Sequence, residues 1–191
     1  MIRIAIFASG SGTNAQRIVE YFRGKNSPVQ VGLILSNNPK AYVLERARIL
    51  DVPVHIFSRE EFYEIETIRE LLRHQSVEYI VLAGFLWLIP IYLLKAYRDK
   101  ILNIHPALLP GYGGKGMYGM KVHEAVINAH EPESGISIHL VNEKYDEGKI
   151  LFQAKCPVDK TDTPESLASK IHQLEYRYYP EVIENFILAD R

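Results

Sequence analysis

Short runs of aliphatic and β-branched residues alternate along this chain with amphipathic stretches of helical period. Ile2 to Ala8 is one continuous apolar run, and Asn14 to Arg23 then repeats Ile18, Val19 and Phe22 at helical spacing. Val29 to Leu35 predicts a second strand, Tyr42 to Leu50 a helix, and Val54 to Phe57 a short third strand. Ser58, with Glu61 three residues on, spells a capping box ahead of a helix carrying Phe62, Ile65 and Ile68. Val77 to Ala83 reads as a buried strand, Ile91 to Ala96 as a short helix and Lys100 to His105 as a fifth strand. Apolar strands separated by helices predict a parallel sheet covered on both faces. The ending is different. Gly135 to Asn142 alternates Ile136, Ile138 and Leu140 against Ser137, His139 and Val141; a turn-rich stretch follows, and Ile150 to Ala154 returns as the second arm of a hairpin. Thr163-Pro164-Glu165 opens a long last helix, with a cap, a first-turn proline and an acid at the positive end. The expected fold is therefore α/β, one domain over residues 1–191: a doubly wound, mostly parallel sheet with a C-terminal antiparallel hairpin and a long final helix.

Composition narrows the function without choosing it. A net charge of -1 gives no electrostatic reason to expect nucleic acid or an anionic membrane as partner. The single cysteine, Cys156, rules out a disulfide framework and a thiolate metal cluster, and reads as a partly buried side chain in a reducing compartment. The apolar opening is too short for a signal-peptide core, and the apolar window from Tyr79 to Leu94 is broken by Gly84 and Pro90. A soluble, cytoplasmic protein is expected. The histidines show no i, i+4 pair with a partner carboxylate, so no metal is expected either.

Three places carry chemistry. Ser9-Gly10-Ser11-Gly12-Thr13-Asn14 lies between the first strand and first helix, where glycines let the backbone approach an anion and the helix supplies free amides. A dinucleotide site would want an acid at the end of the second strand, and Ser36-Asn37-Asn38 stands there instead, which favours a small phosphate ester. Asn103 and His105 are two apart on a strand and so share a face, combining a neutral donor for an oxyanion with a group that trades protons near neutrality. Asp146, in the hairpin turn, is a carboxylate that would hold His105 charged if it stood beside it; spacing alone does not separate it from Glu143 or Glu147. Five glycines between Gly111 and Gly119 mark a mobile loop able to close over a ligand. The polar residues of the last helix read mainly as a solvated face.

Taken together, Ser9 to Asn14, Leu82-Ala83-Gly84-Phe85, Asn103-Ile104-His105-Pro106 with Leu108-Leu109-Pro110, His139 with Asp146 and Gly148, and Glu175 with Tyr179-Pro180 resemble the phosphoribosylglycinamide formyltransferases, folate-dependent enzymes of early purine synthesis. The likeness covers nearly the whole chain. It implies 10-formyltetrahydrofolate as cosubstrate and glycinamide ribonucleotide as acceptor, a Rossmann-like formyltransferase fold, and a monomer or homodimer. Gly12, Thr13 and Asn14 would hold the substrate phosphate and Glu175 its amine. Leu86, Trp87, Leu88 and Ile89 would line the folate pocket, with Asn103 at its reacting end and Arg59 near the folate tail. Asn103, His105 and Asp146 would form the catalytic trio, Asp146 keeping His105 charged. Trp87 departs from the resemblance where many relatives carry a basic residue, and His172 where glutamine is frequent; the Gly111 to Gly119 loop is richer in glycine than usual.

Two related chemistries are expected to fail on length, and a third is less easily excluded. A methionyl-tRNA formyltransferase would add a nucleic-acid-binding domain, and a formyltetrahydrofolate deformylase a small regulatory one. A sugar-amine formyltransferase would place its phosphates differently. A non-catalytic metabolite-binding domain would need the Gly10 to Asn14 loop but not Asn103, His105 and Asp146 together.

Overall fold

The computed structural model describes residues 1–190. Its seven strands, β1 (Ile2–Phe7), β2 (Val29–Ser36), β3 (Val54–Ile56), β4 (Tyr79–Leu82), β5 (Ile101–His105), β6 (Glu133–Leu140) and β7 (Ile150–Pro157), take the order β3-β2-β1-β4-β5-β6-β7, and by internal packing the chain divides into two compact units at Leu102/Asn103.

The first unit contains β1 (Ile2–Phe7), α1 (Thr13–Lys25), β2 (Val29–Ser36), α2 (Val43–Ile49), β3 (Val54–Ile56), α3 (Arg59–Tyr63), α4 (Thr67–His74), β4 (Tyr79–Leu82), α5 (Ile91–Ala96) and the start of β5 (Ile101–His105). β1 pairs in parallel with both β2 and β4, and β2 with β3. A strand buried on both faces has no polar side to present, which is why Ile4, Ala5, Ile6 and Phe7 are all fully buried. Each such Ile or Phe contributes about 1.5–3 kcal/mol. One site hydrogen bond contributes only about 1 kcal/mol net, so polar site residues can be changed without unfolding the core.

The Ser58–Glu61 capping box forms as expected, each side chain taking the other's backbone N–H. The helix it opens does not run on to Ile68. Helix α3 ends at Tyr63 with Glu64 as its C-cap, Glu66 turns left-handed (φ 57°) at the start of α4, and Ile65 between them is left 56% exposed. Periodicity carries no information about such a break, because Phe62 and Ile68 are buried on either side of it.

The second unit holds the rest of β5 with α6 (Met120–Asn128), β6 (Glu133–Leu140), β7 (Ile150–Pro157) and α7 (Pro164–Ala189). Helix α6 was not foreseen, since it directly follows the glycine-rich stretch. β6 and β7 are the expected antiparallel hairpin, with a register shift between Ile138 and His139. Every residue of β6 from Ser134 to Leu140 is buried, the polar Ser137 and His139 that alternate with its aliphatic residues included. Helix α7 starts with a reciprocal Thr163–Ser166 capping box and Pro164 in its first turn. It is not simply a solvated face, for Glu175 and Glu184 are both buried on it.

Candidate active site

In the first unit, the Ser9 to Asn14 turn is held from several sides. Val43 N–H donates to the Gly10 carbonyl (3.1 Å) and Arg46 Nε to the Ser11 carbonyl (2.8 Å). Gly12 has φ +74°, and a Cβ there would stand 2.4 Å from Val43 Cγ2, so only glycine fits. The α1 N-terminus has no side-chain cap and no acid in its first turn. Its positive end is therefore uncompensated, as an anion site requires. Asn37 occupies the place where a dinucleotide site needs an acid, and there its Oδ1 accepts the Ser9 hydroxyl (2.7 Å).

The segment Leu86 to Ile89 belongs to no helix or strand. The Leu86 N–H donates to Ser9 Oγ (3.1 Å), and the Leu88 carbonyl accepts the Tyr63 hydroxyl (2.9 Å). The Arg59 guanidinium lies over the rings of Tyr63 (4.8 Å) and Trp87 (5.7 Å).

In the second unit, Asn103, His105 and Asp146 do meet. Asp146 Oδ2 stands 3.5 Å from His105 Nδ1 and accepts the Gly114 N–H (3.0 Å). Its Oδ1 lies 3.5 Å from both His139 Nε2 and Asn103 Nδ2. Asp146 is itself left-handed (φ 56°), the turn conformation that swings its carboxylate inward, whereas Glu143 and Glu147 are exposed. Gly148 lets the turn close, since a Cβ there would be 1.7 Å from the Leu140 carbonyl oxygen.

His139 is the member that sequence reasoning left without a role. Its Nδ1 faces the Leu140 carbonyl (2.8 Å), which can only accept, so Nδ1 carries a proton. Nε2 lies 3.1 Å from the Asn103 carboxamide nitrogen and 3.5 Å from Asp146 Oδ1. The register shift at Ile138/His139 aims this ring, and a bulge of that kind cannot be read from alternation. The His139-to-Asp146 spacing was the available signal.

Burial lowers the His105 pKa by more than Asp146 and the Tyr112 carbonyl raise it, so the net direction is below the ordinary imidazole value. Asp146 is the largest influence raising the His105 pKa, as expected of a carboxylate beside it, and burial outweighs it. Nε2–H donates to the Tyr112 carbonyl (2.7 Å), leaving Nδ1 as the nitrogen that takes up a proton, facing Asp146. Burial pushes the Asp146 carboxyl up, but His139, His105 and the Gly114 N–H outweigh it and leave the pKa below normal. The glycine-rich loop, expected to be mobile, is tied to this cluster at Tyr112 and Gly114.

Ser137 fixes the chain beyond His105. Fully buried, its hydroxyl donates to the Ala107 carbonyl (2.7 Å) and accepts the Leu109 N–H (2.9 Å), while Gln153 Nε2 reaches both Ser137 Oγ (2.8 Å) and the Leu109 carbonyl (3.0 Å). Glu175 is 5% exposed on α7, with its Oε2 3.0 Å from His172 Nδ1. That contact raises the His172 pKa against the opposing effect of burial. His123 on α6 was not anticipated: it is 3% exposed, and among the described residues its Nδ1 has no hydrogen-bond partner. Among the described residues, no group of three His, Cys, Asp or Glu side chains is arranged to hold a metal ion, and no helix is long and apolar enough to cross a membrane.

Residues 2–183 match the formyl transferase family. A chloroplastic phosphoribosylglycinamide formyltransferase of Arabidopsis thaliana is 40% identical over 95% of this chain, which spans 64% of that relative's length. The phosphoribosylglycinamide formyltransferase of Bacillus subtilis (strain 168) is 37% identical, covering 98% of this chain and 95% of the relative. A crystal structure of phosphoribosylglycinamide formyltransferase from Bacillus halodurans superposes with a TM-score of 0.87 at 36% identity, over 97% of this chain and 95% of the other. The chain belongs to the formyl transferase family, with phosphoribosylglycinamide formyltransferases as its relatives over nearly the whole length.

Proposed function

We propose that this protein transfers the formyl group of 10-formyltetrahydrofolate to the amine of 5'-phosphoribosylglycinamide, giving formylglycinamide ribonucleotide and tetrahydrofolate. The observation that carries this reading is the convergence of Asn103, His105 and Asp146 in one hydrogen-bonded cluster. The amine attacks the formyl carbon, the C=O electrons move onto oxygen, and the bond to the folate nitrogen N10 then breaks. The Asn103 carboxamide donates to the oxyanion. His105 is buried; negative charge developing beside it favours a proton taken up from solvent at Nδ1, against Asp146, and returned to solvent as the oxyanion collapses. The attacking amine loses one proton as N10 gains one, so the charge balances, and Asp146 orients the relay.

In this reading Gly12, Thr13 and Asn14 take the substrate phosphate and Glu175 its amine. The backbone of Leu86, Trp87, Leu88 and Ile89 meets the folate heterocycle, and Arg59 the folate tail. No metal is invoked. The enzyme acts in the cytoplasm on small molecules, without nucleic acid or membrane, as a monomer or homodimer and as a single catalytic domain.

The test is a formyl-transfer assay with purified protein, glycinamide ribonucleotide and 10-formyltetrahydrofolate, following folate deformylation and formylated product separately. One formylated product per folate consumed is expected. Folate consumed without formylated product would replace the reading with a hydrolase, and no reaction would replace it with a binding domain.

A further inference from the structure

An irregular backbone segment that must present its amides to a heterocycle has no helix or ladder to hold its shape, so side chains must do it. Leu86 to Ile89 is such a segment, and two side-chain hydrogen bonds hold it. At its start, the Ser9 backbone N–H donates to the Gly84 carbonyl (3.0 Å) and Ser9 Oγ accepts the Leu86 N–H (3.1 Å). Toward its end, the Tyr63 hydroxyl donates to the Leu88 carbonyl (2.9 Å) across 25 residues of sequence.

Tyr63 is itself fixed in place. Its ring packs against Phe62 (5.0 Å) and Trp87 (5.9 Å), and the Arg59 guanidinium lies over it at 4.8 Å. Trp87, the chain's single tryptophan, is boxed by Phe57 (6.0 Å), Phe62 (5.8 Å) and Phe85 (6.4 Å) besides Tyr63 and Arg59. The Trp87 side chain therefore turns into an aromatic box, while its backbone belongs to the segment. Arg59 has no carboxylate partner among the described residues, so its charge is held on two ring faces.

We propose that Tyr63 and Trp87 act together as positioning residues for the folate-binding backbone: the Tyr63 hydroxyl fixes the Leu88 carbonyl, and the Tyr63–Trp87 contact locks the segment between its two anchors. The inference rests on the assignment of Leu86 to Ile89 to the folate pocket. It gives the Trp87 departure a reason. A basic side chain at this position would be solvated, whereas an indole joins the box and needs a tyrosine beside it.

The experiment uses Trp87 as its own reporter. The wild-type protein, Y63F and Y63L are titrated with tetrahydrofolate, following tryptophan emission and, independently, equilibrium dialysis. Steady-state KM and kcat are measured for both substrates. Y63F keeps the ring and loses one hydrogen bond, so the free protein's emission maximum stays in place while Kd and folate KM rise about fivefold. The change falls on folate KM rather than on kcat or on the KM for glycinamide ribonucleotide. Y63L also loses the ring; its free emission shifts to the red and Kd rises more than tenfold. Wild-type folate affinity in Y63F overturns the proposal, including the case where only its melting temperature falls. Wild type that fails to bind tetrahydrofolate in dialysis overturns the folate assignment itself, and the positioning role with it. Binding by dialysis without any change in Trp87 emission overturns the placement of the ligand at this segment.

Discussion

Replacing Asp146 with asparagine isolates what its charge does. The side chains are nearly isosteric, and the amide oxygen of asparagine can still accept the Gly114 N–H now bonded to Oδ2. What disappears is a negative charge 3.5 Å from His105 Nδ1, on a side chain only 11% exposed. At that separation a full charge pair with an effective dielectric of 20 interacts by about 5 kcal/mol, before the desolvation that opposes it. Neighbouring opposite charges move a pKa by about 1–3 units, and Asp146 is the largest influence raising that of His105. Without it, burial is opposed only by the Tyr112 carbonyl and Glu175, and the His105 pKa falls further. Above that pKa, each unit lost removes about tenfold of the protonated imidazole. The D146N enzyme is expected to lose about 10²-fold in kcat at neutral pH, with the descending limb of its pH–rate profile displaced to lower pH. Steady-state rates from pH 5 to 9 test this, with circular dichroism confirming the fold. A D146N enzyme within threefold of wild type, with its pH profile unmoved, would refute the role given to Asp146.

Three further outcomes follow from the same geometry. Ser137→Ala should leave the Leu109 N–H without its hydroxyl acceptor in a buried place, costing about 1–3 kcal/mol in chemical denaturation, and should lower kcat by loosening the chain beyond His105. Gly148→Ala sets a Cβ 1.7 Å from the Leu140 oxygen, so the turn must open; a loss of about 3 kcal/mol or more is expected, read as a melting temperature lowered by roughly 6 °C or more. His172 has a pKa raised by Glu175. Its contribution to stability is therefore fully present below the unfolded value near 6.5 and is lost as pH rises through the higher folded value. H172Q should flatten that part of the stability–pH curve, and an unchanged curve would show that the His172–Glu175 contact does not form in solution.

Local pattern was enough for much of this protein. Continuous apolar runs identified the strands because a strand buried on both faces has no polar side, and Ser58 and Thr163 announced their helices because capping is settled within four residues. Two-residue alternation put Asn103 and His105 on one face, and the glycines after β1 marked the turn, since Gly12 leaves no room for a Cβ. The tertiary structure decided the rest, each time through residues distant in sequence. Asp146 was singled out from Glu143 and Glu147 by a left-handed turn and the Gly114 amide, 32 residues away. His139 joined Asn103 through a register shift that alternation cannot encode. The protonation of His105 depended on the balance of burial against Asp146, and Tyr63 reached Leu88 only because α3 packs its ring on Trp87. Periodicity reports which face of an element is apolar; which polar groups meet, and with what charge, depends on distances and desolvation that exist only once the chain is folded.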